Sequence, residues 1–365
     1  MRSAVGTGIA LANLPGSQGS RADDDEQTME TLRDPNQKRF GPAPLGGSMS
    51  ALLATLLAWL LLPFGTAQAA PVALGSYIPH ADESPGLIDS FTHQVGWSPV
   101  VLTSFKTFDQ APVYFPQLNG AREHGAVPMV TWEPQTSSEG RIDLSRIAAG
   151  DYDGYVGDAA RAAAAWGKPM MIRFGQEMNG SWYPWSPASG NSAHSFVSAW
   201  RHLVRVFRRE GADNVKWVWT PYVKTPNNLP FKRFYPGDHY VDWAGLDGYN
   251  WGGKFEWKSF HELFANSYRK LVHLTSRPLM IGEVGCGEVG GNKARWLRLM
   301  LRRDVPQMPD FRAIVWFDQI DEKGDLRVDT SHAALASFRR WTNQPLFRSS
   351  REALLRTPRR LQGAR

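Results

Sequence analysis

Eight short apolar runs, each followed by a polar or helix-forming stretch, recur along residues 73–317. They cover 73–78 (ALGSYI), 98–105 (SPVVLTSF), 126–132 (AVPMVTW), 168–174 (KPMMIRF), 214–220 (NVKWVWT), 241–249 (VDWAGLDGY), 278–283 (PLMIGE) and 312–317 (RAIVWF). Continuous apolar runs without in/out alternation suit strands covered on both faces. Between them the helical pattern is clearest at 155–166, 193–210, 259–274 and 293–303. Asn191 and Ser192 precede the second of these as cap residues, and Gly211 follows it. Eight β-then-α units over this length predict an α/β chain folded as a single (β/α)8 TIM barrel, residues 70–345.

The flanks read differently. Residues 1–48 carry the acidic run Asp23–Glu26 and no apolar periodicity, so disorder and a start at Met29 or Met49 are expected there. Residues 51–64 form an apolar run with the length of a signal-peptide core. Small residues follow at Ala67–Ala69. The segment 49–69 is therefore a signal peptide or a membrane anchor, with the barrel secreted, periplasmic or held outside the cytoplasm. Between Arg339 and Arg365 lie eight arginines and one glutamate, against a net charge of +6 for the whole chain. The remainder is near neutral. That concentration predicts a solvated basic tail, 346–365, able to associate with a cell envelope, and argues against a nucleic-acid groove. The lone Cys286 makes no intramolecular disulfide and has no nucleophile–base pattern beside it. The nine histidines lack metal-ligand spacing, and no phosphate loop or dinucleotide fingerprint is present. No metal or cofactor is expected, and the protein is expected to act as a monomer.

A barrel keeps its reactive groups at the C-terminal strand ends. In RFGQEMNGSWYPW, residues 173–185, Glu177 follows the fourth strand by three residues among four aromatics and two amides. Glu283 ends the seventh strand, across the barrel mouth. Two such carboxylates about 5–5.5 Å apart can cleave a glycoside with retention, one as nucleophile and one as acid/base. Apolar neighbours and the Glu283 charge would raise the Glu177 pKa; donors such as Arg173 and the Tyr249 hydroxyl would keep Glu283 ionised. Each residue also has a plainer reading. Glu177 and Arg173 could form a structural ion pair, and Tyr249 could pack at the rim. Trp217 and Trp219 share one side of a strand, in the barrel core or against the helices. Asp247 and Asp318 could bind sugar hydroxyls or cap helices. Glu288, on the loop GCGEVGG, is the rival to Glu283 and is expected to be exposed.

RFGQEMNGSWYPW after strand four, GLDGYNW at strand six, MIGEVG at strand seven and AIVWF at strand eight together resemble glycoside hydrolase family 26. The resemblance covers most of residues 73–345. It implies a barrel glycosidase with Glu177 as acid/base and Glu283 as nucleophile. It also implies that Arg173 and Tyr249 orient the nucleophile, that Trp182 and Trp132 are cleft aromatics, and that Trp316 is the platform under the cleaved sugar. The family is dominated by endo-β-1,4-mannanases and includes enzymes acting on mixed-linkage β-glucan and β-1,3-xylan. A β-linked polysaccharide, β-1,4-mannan first, is the implied substrate. One position departs: the family usually has His before the acid/base, and here it is Gln176. An amide donates and accepts but cannot carry a proton charge. This departure keeps open a non-hydrolytic polysaccharide-binding protein of exopolysaccharide assembly. YPWSP after Trp182 also departs from the mannanase pattern.

Overall fold

The computed structural model describes residues 70–360 apart from 139 and 225–227. The expectations for 1–48 and 49–69 fall outside the described residues. Among the described residues no helix is long and apolar enough to cross a membrane.

Eight parallel strands close a barrel: β1 (Ala73–Tyr77), β2 (Val101–Thr107), β3 (Val127–Glu133), β4 (Met170–Phe174), β5 (Val215–Trp219), β6 (Trp243–Asn250), β7 (Leu279–Cys286) and β8 (Phe311–Phe317). Each neighbours the next, and β1 pairs with β8. The helices are α1 (Gly86–Val95), α2 (Phe115–Glu123), α3 (Leu144–Ala149), α4 (Asp153–Trp166), α5 (Ala193–Arg209), α6 (Phe260–Leu274), α7 (Lys293–Leu299), α8 (His332–Thr342) and α9 (Arg351–Leu355). Caps set their starts: Ser192 accepts from Ser195 N, and Ser259 with Glu262 forms a reciprocal capping box. Asn191 ties α3 to the β4 loop instead, accepting from Leu144 N and donating to Ile142 O.

Strand parity divides the core into two layers. Ala73, Val101, Val127, Met129, Met171, Val218, Met280, Ala313 and Val315 fill the barrel interior. The alternate positions, including Val130, Trp132, Ile172, Phe174, Trp217, Trp219, Ile314 and Trp316, pack outward against the helices. Trp217 and Trp219 are therefore helix-packing residues; Trp217 meets the rings of Trp200 and Phe207 on α5.

Two expectations are corrected here. The segment 346–365 is not a solvated tail over the part described. Leu354 of α9 is buried with the interior cluster, whose Ala73, Val101 and Val127 lie at the strand starts, so α9 closes the bottom of the barrel. Arg360 continues the attachment, donating to the carbonyls of Arg277 and Val272 and pairing with Asp310 at 3.6 Å. Apolar burial of a leucine pair outweighs the solvation of flanking arginines, which remain free to reach water. Second, the helix expected over 293–303 is regular only to Leu299 and continues as a π turn, Met300–Asp304.

Candidate active site

The strand tips at the C-terminal mouth deliver the polar residues. Inward parity on β4 passes from Met171 to Arg173, and on β3 from Met129 through Thr131 to Glu133. Arg173 is fully buried. Its Nε donates to Thr131 Oγ1 at 2.9 Å, its Nη1 lies 3.4 Å from both Asp247 oxygens, and its Nη2 donates to Glu283 Oε1. Tyr249 on β6 donates its hydroxyl to the other oxygen of Glu283. Both oxygens of Glu283 thus face donors.

Glu283 reaches the interior through a bulge. Between β6 and β7 the register passes from Leu246↔Ile281 to Asp247↔Glu283, so β7 takes one residue more than its neighbour. The β8 side shows the same excess, Ile314↔Ile281 followed by Trp316↔Val284. Simple alternation from inward Met280 would send Glu283 outward; the extra residue turns it in. Gly282 makes room: a Cβ there would stand 2.5 Å from Asp247 Oδ1 and 2.7 Å from Thr220 Cγ2.

Glu177 stands on a strained turn. Its φ is 54°, the left-handed region uncommon outside glycine, and Gly175 two residues earlier has φ 53°. Neighbouring strands hold the turn: Gly175 N donates to Trp132 O at 3.0 Å and Glu177 N to Thr220 O at 2.9 Å. Trp185 Nε1 donates to Gln176 O at 2.8 Å from within the core. The Glu177 carboxyl accepts from Trp182 Nε1 at 2.5 Å. Burial first, and then the charge of Glu283, push its pKa up to about 8. Burial would lower the pKa of Arg173, but the charges of Glu283 and Asp247 hold it above its ordinary value. Asp247 rises well above the usual carboxylate range through burial, which the Arg173 charge opposes and the charges of Glu283 and Glu177 reinforce.

Glu177, Glu283, Trp182 and Tyr249 line one cleft of about 550 Å³, with Tyr183, Tyr222, Trp251, Phe105 and Phe317 as further aromatic walls. Trp251 stacks on Tyr249 with ring centroids 4.5 Å apart. A hairpin pairing Ile320–Asp321 with Gly324–Asp325 brings Asp321, Glu322 and Lys323 to the rim. Lys323 Nζ lies 5.0 Å from the Trp251 centroid.

The two remaining tryptophans do not reach this cleft. Trp316 is 2 % exposed on the outward side of β8, its Nε1 donating to Leu326 O and its ring against Phe338 of α8. Trp132 is fully buried on the outward side of β3, stacked on Phe108 and bonded to the Tyr155 hydroxyl. Parity excludes both. The inward aromatic at the β8 tip is Phe317, next to Trp316, in contact with Tyr77 at 4.7 Å and Tyr249 at 5.6 Å. Gln176 is buried and donates to Glu133 Oε1 at 2.8 Å. Glu133, also bonded by Gln135, is a third carboxylate at the mouth with a pKa raised by burial. Its inward parity on β3 was the available signal. Asn179 is a second residue that sequence reasoning passed over: it brackets the Tyr222 backbone, donating to its carbonyl and accepting from its amide.

Other acids serve structure. Asp318 accepts from Val328 N at 2.7 Å and closes the β8 loop, its pKa pushed up to about 6 by burial. Glu288 is part-buried rather than exposed and accepts from Thr330 and Ser331 at the start of α8. Cys286 is buried, and burial pushes its thiol up to about 12. Among the described residues no cluster of His, Cys, Asp and Glu could hold a metal ion.

A closed parallel barrel with glutamates in one cleft at the tips of β4 and β7 is the architecture of a barrel glycoside hydrolase. Residues 152–289 match the model of glycosyl hydrolase family 26. The chain is similar to that family over the stretch that carries both glutamates, from α4 through β7. It is 34% identical over 232 residues to Endoglucanase H of Acetivibrio thermocellus, a match covering 61% of this chain and 25% of that protein. It is 29% identical over 163 residues to mannan endo-1,4-beta-mannosidase of Bacillus subtilis, covering 42% of this chain and 41% of that one. These matches span about a quarter and two fifths of the relatives' own lengths. In fold, the chain is similar to a modular endo-beta-1,4-mannanase from Cellulomonas fimi, with TM-score 0.60 and 18% identity over 80% of this chain and 75% of that one.

Proposed function

We propose that this protein is a retaining endo-β-glycanase that cleaves a β-linked polysaccharide, β-1,4-mannan first among its substrates, by double displacement. The carrying observation is the contrast between two carboxylates in one cleft. Glu177 is buried against an indole with its pKa raised, and Glu283 has donors on both oxygens. A proton stays on Glu177 through neutral pH, ready for the glycosidic oxygen. Glu283, fixed by Arg173 and Tyr249, attacks the anomeric carbon as that C–O bond breaks. Glu177, now ionised, takes a proton from the water that displaces Glu283. Trp182, Trp251 and Phe317 offer flat faces for the C–H surfaces of pyranose rings.

A mixed-linkage β-glucan is the second reading, supported by the stretch most similar to Endoglucanase H. Export ahead of the barrel follows from the apolar run 51–64 and Ala67–Ala69. The N-terminal residue of protein recovered from the medium tests it: an intact 51–69 segment would reject cleavage. Function is tested by screening the chain against β-mannan, mixed-linkage glucan and β-1,3-xylan beside Glu177→Ala and Glu283→Ala. The expected result is hydrolysis of one polymer, lowered in each variant by about three or more orders of magnitude. Binding of oligosaccharide without hydrolysis at any pH would replace the enzyme reading with a binding one.

A further inference from the structure

An outer wall of the barrel carries a charge pattern that catalysis does not use. Residues 293–303 and 332–348 contain no Asp or Glu. They form α7, its π turn and α8, which pack side by side. Six arginines of this wall, Arg295, Arg298, Arg302, Arg303, Arg339 and Arg340, are exposed. Arg303 bonds the buried Asp304, whereas Arg295, Arg298 and Arg339 make no ion pair among the described residues. Arg295–Arg298 and Arg298–Arg302 stand three and four residues apart, spacings at which like charges repel on a helix surface. The π turn leaves Arg302 and Arg303 both exposed while Asp304 points inward. Such turns mark functional segments more often than chance. The guanidinium groups of Arg298, Arg302 and Arg303 border a groove of about 520 Å³.

We propose that this arginine wall docks a carboxylate-bearing polysaccharide, holding a uronate-rich chain against the outside of the barrel, away from the cleft. Three observations select this partner. Guanidinium forks match carboxylates two bonds at a time, so an all-arginine surface favours them over a diffuse charge interaction. No exposed large apolar side chain lies in either segment, so nothing is available to enter a lipid surface. Of the aromatics there, Trp296, Phe338 and Phe347 are buried, and the part-buried Trp341 has Arg302 and Arg340 over its ring at 5.5 and 5.4 Å, guanidinium groups that compete with a stacked nucleobase.

The test is affinity electrophoresis of the full chain through gels containing polygalacturonate, with neutral galactomannan, phosphatidylglycerol vesicles and a DNA duplex as separate arms. Polygalacturonate is expected to retard the protein at about 50 mM NaCl and to bind about tenfold more weakly at about 300 mM. The triple variant Arg295→Gln, Arg298→Gln, Arg339→Gln should bind at least about tenfold more weakly and keep its turnover on neutral glycan. The corresponding lysine variant should recover only part of the loss. No retardation, equal retardation of the glutamine variant, or tighter binding to vesicles or DNA would overturn the proposal. Because binding is read without turnover, failure here is separable from failure of the glycanase reading.

Discussion

Gln176 donates from Nε2 to Glu133 Oε1 at 2.8 Å, so the amide preceding Glu177 faces a third carboxylate at the tip of β3 and not Glu283. The family's usual histidine would place a titrating group against Glu133. An amide bonds it at every pH. Gln176→Ala leaves Glu133 part-buried with Gln135 as its remaining partner. Losing a hydrogen bond to a charged group in the cleft costs about 1.5–3 kcal/mol, so kcat/KM should fall about ten- to a hundredfold with the fold intact. Steady-state kinetics beside a melting curve check it.

The raised pKa of Glu177 fixes a pH dependence. A carboxyl pushed up to about 8 binds its proton more tightly in the folded chain than in the unfolded one. Its contribution to stability is complete below the unfolded value near 4.5, and is lost as pH rises through 8. Activity should fall on the alkaline side near the same pH, since the role proposed for Glu177 is to donate its proton. Glu177→Gln should therefore be less destabilised at pH 9 than at pH 5 relative to the parent, by an amount on the order of a few kcal/mol. Melting curves at the two pH values measure it.

The indole of Trp182 opposes that rise by donating to the ionised carboxylate. Trp182→Phe keeps a ring and removes the donor. The alkaline limb of kcat/KM should move to higher pH, while KM changes little. A pH–rate profile of the variant reads the shift directly.

The bulge that turns Glu283 inward depends on Gly282. Gly282→Ala would push a methyl group against Asp247 and Thr220. Overpacking of this kind costs about 1–3 kcal/mol, and relief by unbulging would turn Glu283 away. Loss of activity larger than the loss of stability is expected, measured by urea unfolding beside turnover.

The barrel was legible in the sequence because strands covered on both faces must be short apolar runs, and eight of them were separated by helix-forming text. The placement of Glu177 and Glu283 at strand tips was legible for the same reason. Side-chain direction was harder. Trp132 and Trp316 sit at strand tips yet point outward, and only the inward run Ala313, Val315, Phe317 reveals which aromatic faces the cleft. The β7 bulge changes parity without changing composition, so no periodicity reports it. Leu354 shows the converse limit: a leucine pair among arginines reads as tail, and only the open bottom of a barrel gives it somewhere to go.

The measurement closest to the central claim is covalent trapping. The protein is incubated with a 2-deoxy-2-fluoro glycoside bearing a good leaving group, digested, and its peptides are sequenced by mass spectrometry. The account predicts one sugar esterified to Glu283, with labelling abolished in Glu283→Gln. A label on Glu133 or Glu288, or turnover that inverts the anomeric centre with no label, would contradict it.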